Sequence, residues 1–490
     1  MKTMHRRSQR HSSPSVRLPG LLLATTLIAI GLAPRVVAQS NVKQAAPNVH
    51  FDAATRRAVA EKYAQLLAEK YVYPKEGAQM AAAIRANIKS GAYNRIDSPN
   101  AFAAALAADA RKAVNDPHLH VNFGMGAETT GGTRRIVIRH RGSGRQGPGG
   151  KAPGVRLSPR MAEQMAHEDG GIREVRILPG NIGYLALNWM APQDEQGKKA
   201  IAAAFALLHD TDALIIDLRG NPGGMGGAEL FMSYLSEGAP FVTSVAYWRE
   251  GDQTRKQVFE TTDLGALSYG NKKPVFVLIS PRTFSAAEGL AYTIQSFKRG
   301  TVVGEASGGG ANPTNVGLLS LGYGFSADIP NGYVVNPVTK TNWEGTGVKP
   351  NVEIPADEAF GEAWSLAAGR LQANSTNPRT RDLLDALSRA KLEGAASIAG
   401  AQLAGHYVSV HGGPQITIVD NAGELSYRQQ LPVKADIPLV WRGGNRYRID
   451  GGFSLTFFRR NGKIEVLQVM PQPMQTFVLE RGQEGEQRMP

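Results

Sequence analysis

A serine stands where a buried strand gives way to a helix. Val275–Ile279 (VFVLI) is an apolar run of strand length, 280–284 is a short turn, and a helical pattern opens at Ser285-Ala286-Ala287-Glu288. A hydroxyl at such a junction sits at a helix N-terminus, where unbonded backbone N–H groups and the positive end of the dipole stabilise developing negative charge. That is the setting for nucleophilic attack on a carbonyl. The same four residues also spell a capping box, in which Ser285 caps the helix and Glu288 reaches back. A second turn bears on the choice. Asp217-Leu218-Arg219-Gly220-Asn221-Pro222-Gly223-Gly224 follows the apolar strand ALIIDL and precedes another helical stretch. Consecutive glycines bare their amides. One amide from Gly223 or Gly224, with that of Ala286, would form a two-donor oxyanion hole. Losing one such donor typically costs on the order of 10²–10³ in rate.

A serine nucleophile needs a base, and histidine is the usual one near neutral pH. Beyond residue 38 the chain offers His50, His118, His120, His140, His167, His209, His406 and His411. His118 and His120 are equal candidates on local pattern alone, and Asp116 reads as a turn former at the end of a helix. No group of His, Asp or Glu has a zinc-ligand spacing such as HExxH, so neither a metal nor a cofactor is expected.

The elements that must position these residues follow from periodicity. Three helices fit residues 52–115, with Asp52 and Ser98 as caps and Pro74 as a stop. From 181 to about 356, strands and helices alternate, which argues for an α/β layer structure. After Ala401, short strands are separated by Gly, Asn and Asp, as in a small antiparallel sandwich or barrel. The expected organisation is a signal peptide over 1–38, an N-terminal helical bundle over 48–121 and a basic Gly-rich connection over 122–180. An α/β catalytic core over 181–360, a helical linker over 361–400 and a C-terminal β domain over 401–486 complete it.

The first 38 residues carry six basic and no acidic side chains, an apolar run from Leu21 to Ala33, and small residues at 36–38. This is the pattern of a secretory signal and implies an exported protein, periplasmic or secreted. The chain has no cysteine, so stability must come from its core. Its formal charge of +13 falls to +7 without the signal. Eight Lys and Arg with no acidic residue lie between Glu128 and Glu163. That stretch is also Gly- and Pro-rich and carries no interleaved aromatic, which argues for a surface loop and against a nucleic-acid groove. Weak attraction to an anionic envelope surface is compatible with it.

Four segments in order carry a resemblance: IDLRGNPGG (Ile216–Gly224), TFSAAEG (Thr283–Gly289), VVGEASGGG (Val302–Gly310) and GTGVKPNVEIP (Gly345–Pro355). Together they resemble the tail-specific, or C-terminal processing, serine proteases. VYP (Val72–Pro74) and NDPHLHV (Asn115–Val121) are similar to the branch with tricorn-like peptidases and interphotoreceptor retinoid-binding protein. The resemblance implies a ClpP/crotonase-like α/β core, Ser285 as nucleophile, His118 as base and Glu344 as the group that orients it. Two departures stand out. The processing proteases place a lysine base in a Gly-Lys-Gly segment, and here that segment is Gly308-Gly309-Gly310. The tricorn-like branch has a serine before its histidine, and here that residue is Pro117. No PDZ pattern is evident between 122 and 180. The function implied is a serine peptidase acting on polypeptides. Two other functions fit the same residues: a non-catalytic binder of apolar ligands or peptides on this fold, and an esterase using the same serine.

Overall fold

Three helices open the described part of the chain: α1 (Ala53–Lys70), α2 (Pro74–Ser90) and α3 (Pro99–Ala113). The computed structural model describes residues 51–124, 169–372, 378–394, 398–410, 413–429, 435–449, 453–471 and 474–482. The signal segment and most of the basic stretch lie outside the described residues. Asp52 caps α1 by accepting the Thr55 amide at 2.8 Å, and Pro74 begins α2 where α1 has stopped. The faces bearing Tyr63, Leu67, Met80, Ile84, Phe102 and Leu106 meet in one core. The helices do not complete that core alone. Leu321, Phe325 and Ala327 enter it from a small sheet of β1 (His120–Phe123), β10 (Phe325–Asp328) and β9 (Leu319–Gly322). β1 pairs antiparallel with β10, His120 opposite Asp328. The segment carrying His118 is thereby stitched to a strand some two hundred residues later.

The central sheet has six strands in the order β12 (Val352–Glu353), β8 (Thr301–Gly304), β7 (Val275–Ile279), β4 (Ala213–Asp217), β3 (Ile182–Leu187), β2 (Ile172–Leu178). All are parallel except β2, which runs antiparallel to β3. Every residue of β3, β4 and β7 is buried. Such unbroken apolar runs belong to a sheet covered on both faces. Leu214, Ile216, Val277 and Ile279 face α4 (Glu195–Leu208), α5 (Ala228–Leu235) and α6 (Ala286–Ser296). Ile215, Phe276 and Leu278 face α7 (Ala359–Leu371) and α8 (Pro378–Gly394). The fold is α/β. The sheet begins at Ile172, ahead of the expected start at 181, because β2 is a half-buried edge strand charged at Arg173, Glu174 and Arg176 and lacks the unbroken apolar run of the inner strands. A separate three-stranded sheet, β11 (Gly332–Val335), β5 (Val242–Glu250) and β6 (Gln253–Glu260), stands beside α6.

The C-terminal strands form one antiparallel sheet, ordered β16-β15-β14-β13-β21-β20-β19-β18-β17. In chain order they are β13 (Gly405–Ser409), β14 (Gln415–Asn421), β15 (Glu424–Gln429), β16 (Ala435–Pro438) and β17 (Val440–Trp441), then β18 (Arg446–Arg448), β19 (Ser454–Arg460), β20 (Lys463–Pro471) and β21 (Met474–Arg481). The two end strands, β16 and β17, are separated only by Leu439, so the sheet closes on itself as an up-and-down barrel. Tyr407, Ile418, Leu455, Phe457 and Val466 fill it. Its outer face is not independent of the rest: Phe458, Leu467 and Val478 share a core with α7 and α8.

Candidate active site

The turn from β7 to α6 holds Ser285 in a backbone conformation that non-glycine residues rarely adopt, φ +52° and ψ −119°. Such strain costs on the order of 1–3 kcal/mol and persists only where the surroundings impose it. Glu288 is part of what imposes it. This carboxyl is fully buried and accepts the amides of Ser285 at 2.7 Å, Gly309 at 2.7 Å and Gly310 at 2.9 Å, together with the Ser307 hydroxyl at 2.5 Å. Burial pushes its pKa up, against those four hydrogen bonds. The Glu288 half of the capping box is therefore present, but it ties the elbow to the glycine turn at 308–310 as well as closing a helix end.

The Ser285 hydroxyl points at a histidine. Its Oγ lies 2.9 Å from His118 Nε2. His118 stacks at a tilt against Phe284, ring centres 4.7 Å apart. Its amide donates to Asp116 Oδ1 at 2.9 Å, and its Nδ1 lies 3.9 Å from that same oxygen. Burial holds the His118 pKa below the ordinary imidazole value, with Asp116 pulling the other way. His120, two residues on, is exposed at the start of β1 and makes no contact of this kind with Ser285 among the described residues. Local pattern could not separate the two histidines; the structure brings His118 to the serine.

Glu344 enters from the loop after β11. Its carboxyl accepts the amides of Ala311 and Asn312. One ligand atom from each of Asp116, His118 and Glu344 lies within 4.8 Å of the other two. That donor set has the chemistry to hold a cation, although His118 Nε2 is already engaged with Ser285. His118 Nδ1 and Glu344 Oε1 are both buried with no hydrogen-bond partner among the described residues. Burial, and then the neighbouring Asp116, push the Glu344 pKa up to about 8.

The glycine turn lies against the elbow. A side-chain carbon placed on Gly223 would come within 2.8 Å of both Ser285 Cβ and the Phe284 carbonyl. Gly223 (φ +98°) and Gly224 (φ +147°) both need glycine's freedom. The two amides differ in availability. Gly223 N–H donates to the buried Asn221 Oδ1 at 2.9 Å, which locks the turn. The Gly224 and Ala286 amides have no acceptor among the described residues and are the pair open to an oxyanion. Below the turn, Arg219 grips Asp217 through Nε at 2.9 Å and a terminal nitrogen at 2.7 Å, and Tyr184 adds its hydroxyl at 2.7 Å. Asp217 is buried, and these partners hold its carboxyl below the usual carboxylate range despite desolvation. Removing one partner of a buried ion pair typically costs about 3–5 kcal/mol. Arg219→Ala is therefore expected to lower stability by about 3 kcal/mol, read from the urea midpoint. A loss under about 1 kcal/mol would place Asp217 in water after all.

An apolar pocket of about 140 Å³ opens beside Ser285. Ala246, Trp248, Phe259, Val334 and Trp343 line it, together with Gly224 and Ala286. Three polar supports escaped local reading. Asp116 looked like a turn former, Glu288 like a cap, and Asn312 carried no signal. The only trace of the first two was their place in NDPH and SAAE.

Residues 181–354 match the model for Peptidase family S41, and residues 43–136 match that for the N-terminal domain of Peptidase_S41 in eukaryotic IRBP. A carboxy-terminal-processing protease from Bartonella bacilliformis is 28% identical over 190 residues, covering 37% of this chain and 41% of the relative. A chloroplastic carboxyl-terminal-processing peptidase 2 from Arabidopsis thaliana is 27% identical over 198 residues, covering 37% and 36%. The chain thus spans about two-fifths of the length of the curated relatives it matches. Among solved structures, the photosystem II D1 C-terminal processing protease aligns with a TM-score of 0.35 at 16% identity, covering 62% of this chain and 94% of that one. Mature CPAF aligns with a TM-score of 0.41 at 13% identity, covering 70% and 97%. Over residues 181–354, about a third of its length, the chain is thus similar to peptidase family S41.

Proposed function

We propose that this chain is a serine peptidase in which Ser285 is the nucleophile and His118 the general base, with Glu344 the third group on the far side of the imidazole. The 2.9 Å approach of Ser285 Oγ to His118 Nε2, at a strained elbow beside two open amides, carries the reading. The Ser285 hydroxyl gives its proton to His118 Nε2 as Oγ bonds to the substrate carbonyl carbon. The amides of Gly224 and Ala286 receive the oxyanion. Collapse breaks the C–N bond, and His118 returns the proton to the departing amine. Water then hydrolyses the acyl-enzyme by the same route. The substrate is a polypeptide that seats an apolar side chain in the pocket beside Ser285. The charged and apolar pattern of residues 1–38 supports export to the periplasm or beyond.

A fluorophosphonate probe tests the reading. At neutral pH it is expected to add one phosphonyl group to Ser285 of the wild type and none to Ser285→Ala, with the adduct located by peptide mass spectrometry. An unlabelled Ser285 in protein that purifies with an apolar ligand would point to the binding protein on the same fold. Labelling with ester turnover but no peptide cleavage would point to an esterase.

A further inference from the structure

Asp116 is built into the site more firmly than a turn former requires. It is 1% exposed. Its Oδ2 accepts the Tyr71 hydroxyl at 2.9 Å and the Asn312 side-chain amide at 3.0 Å. Its Oδ1 accepts the His118 amide at 2.9 Å and faces His118 Nδ1 at 3.9 Å. Both donors to Oδ2 come from distant chain, α1's end and the loop after β8, so the carboxylate is fixed from outside its own turn. Oδ1 is left aimed at the histidine. A small rotation of the imidazole would turn the 3.9 Å gap into a hydrogen bond, and catalytic contacts often tighten in this way when substrate binds. Pro117 cannot supply a side chain to bridge Nδ1, and Nδ1 has no other hydrogen-bond partner among the described residues.

We propose that Asp116 is a positioning residue for His118, fixing the imidazole through its own loop and supplying the negative charge that faces it when it takes the Ser285 proton. The proposal rests on His118 as the base and adds a residue to that arrangement. Two carboxyl groups this close divide the work, because both cannot easily be ionised in a buried site. Glu344 is the one whose pKa is raised, by burial first and then by Asp116, to about 8. It then acts as a neutral hydrogen-bonding group, and the counter-charge to the imidazolium falls to Asp116. The other titratable groups around the pair are His120 on the following strand, Asp328 at the end of β10, and Tyr63, Tyr71 and Tyr73 from the helical side. Arg111 is taken up by the Leu119 carbonyl.

The test follows the His118 titration by the carbon-13 resonance of its Cε1, alongside the pH dependence of fluorophosphonate labelling. Wild type, Asp116→Asn, Tyr71→Phe and Glu344→Gln are compared in the full chain. Asp116→Asn removes the charge that favours the imidazolium, so the His118 midpoint should fall by about one pH unit. The plateau labelling rate should drop about 100-fold or more, since a neutral amide can hold the imidazole in the wrong tautomer. Tyr71→Phe removes a donor that absorbs part of the Asp116 charge, so the midpoint should rise. Glu344→Gln should leave the midpoint in place at neutral pH. Opposite movements in Asp116→Asn and Tyr71→Phe support the proposal, because a purely structural role predicts no such pair of signs. An unmoved midpoint in Asp116→Asn, or a shift in Glu344→Gln alone, overturns it. If Asp116→Asn does not fold, Tyr71→Phe decides: a raised midpoint supports the proposal and an unmoved one overturns it. A wild type that resists the probe while its His118 midpoint moves as described would sink the base assignment and leave the Asp116 coupling standing.

Discussion

Ser285→Gly is expected to abolish hydrolysis while making the protein more stable. The loss of function follows from removing Oγ. Deleting a nucleophile of this type typically leaves only the residual about 10³–10⁴-fold advantage over water that binding and oxyanion stabilisation provide. The gain follows from the backbone. Ser285 sits at φ +52°, ψ −119°, where glycine pays no Cβ penalty. Relief of about 1–3 kcal/mol of strain exceeds the extra unfolded-chain entropy of glycine, about 0.5–1 kcal/mol. Ser285→Ala separates the two effects, since it removes Oγ but keeps the strain. Thermal melts should therefore rank Ser285→Gly above both Ser285→Ala and the wild type, with neither variant hydrolysing a peptide substrate. A melting temperature for Ser285→Gly below that of Ser285→Ala would show that the elbow is not strained.

The second large effect concerns the two histidines of NDPHLH. His118→Ala should lose about 10³-fold or more in kcat/KM, the scale on which a base that activates a serine acts. His120→Ala should keep activity within a few-fold, because its ring is exposed and away from Ser285. The pH profile carries the sign. His118 must be neutral to accept a proton, and burial lowers its pKa. The acid limb of kcat/KM should then fall below about 6.5, the ordinary imidazole value, extending activity towards mildly acid pH. The same shift bears on stability. A histidine whose folded pKa is depressed contributes stability above its unfolded pKa, and that contribution is lost as pH falls through the folded value. His118→Ala should accordingly show less acid destabilisation than the wild type. Equal activity loss in the two variants would mean that β1, not the base, was damaged.

The parts of the fold that the sequence revealed are those where one local pattern dominates. Val275–Ile279 and Ala213–Asp217 are unbroken apolar runs because both faces of the central sheet are covered, and their limits could be read almost to the residue. The hairpin of β5 and β6 escaped notice. The residues of β6, QTRKQVFE, are mostly exposed, so no apolar alternation marks the strand. The site divides in the same way. Ser285 announced itself through a strand-turn-helix junction. Its approach to His118 spans 167 residues and could be reached only through motif resemblance. Asp116 does form the turn that its place suggested, accepting the His118 amide, but its burial comes from Tyr71 and Asn312, 45 and 196 residues away, and could not be read locally. A carboxylate next to a proline reads locally as a turn, and nothing nearby records that the turn is sealed.

The glycine turn at 308–310 also limits what can be built at the elbow. The processing proteases that it resembles carry their lysine base in the matching segment, and a lysine introduced there would stand at Gly309. That residue lies at φ +86°, with backbone atoms of 345–347 between 3.1 and 3.3 Å from where a Cβ would stand. Next to it, a Cβ on Gly310 would meet Phe284 at 2.4 Å and His118 Cε1 at 2.6 Å. The amides of both glycines are held by Glu288, which also grips the Ser285 amide. A side chain at 309 would therefore press on the 345–347 backbone from a left-handed conformation, and one at 310 would displace Phe284 or His118. Grafting a lysine into this turn would thus demand a rearranged backbone at both 308–310 and 345–347, so the two segments form one interlocked unit that would have to be exchanged together.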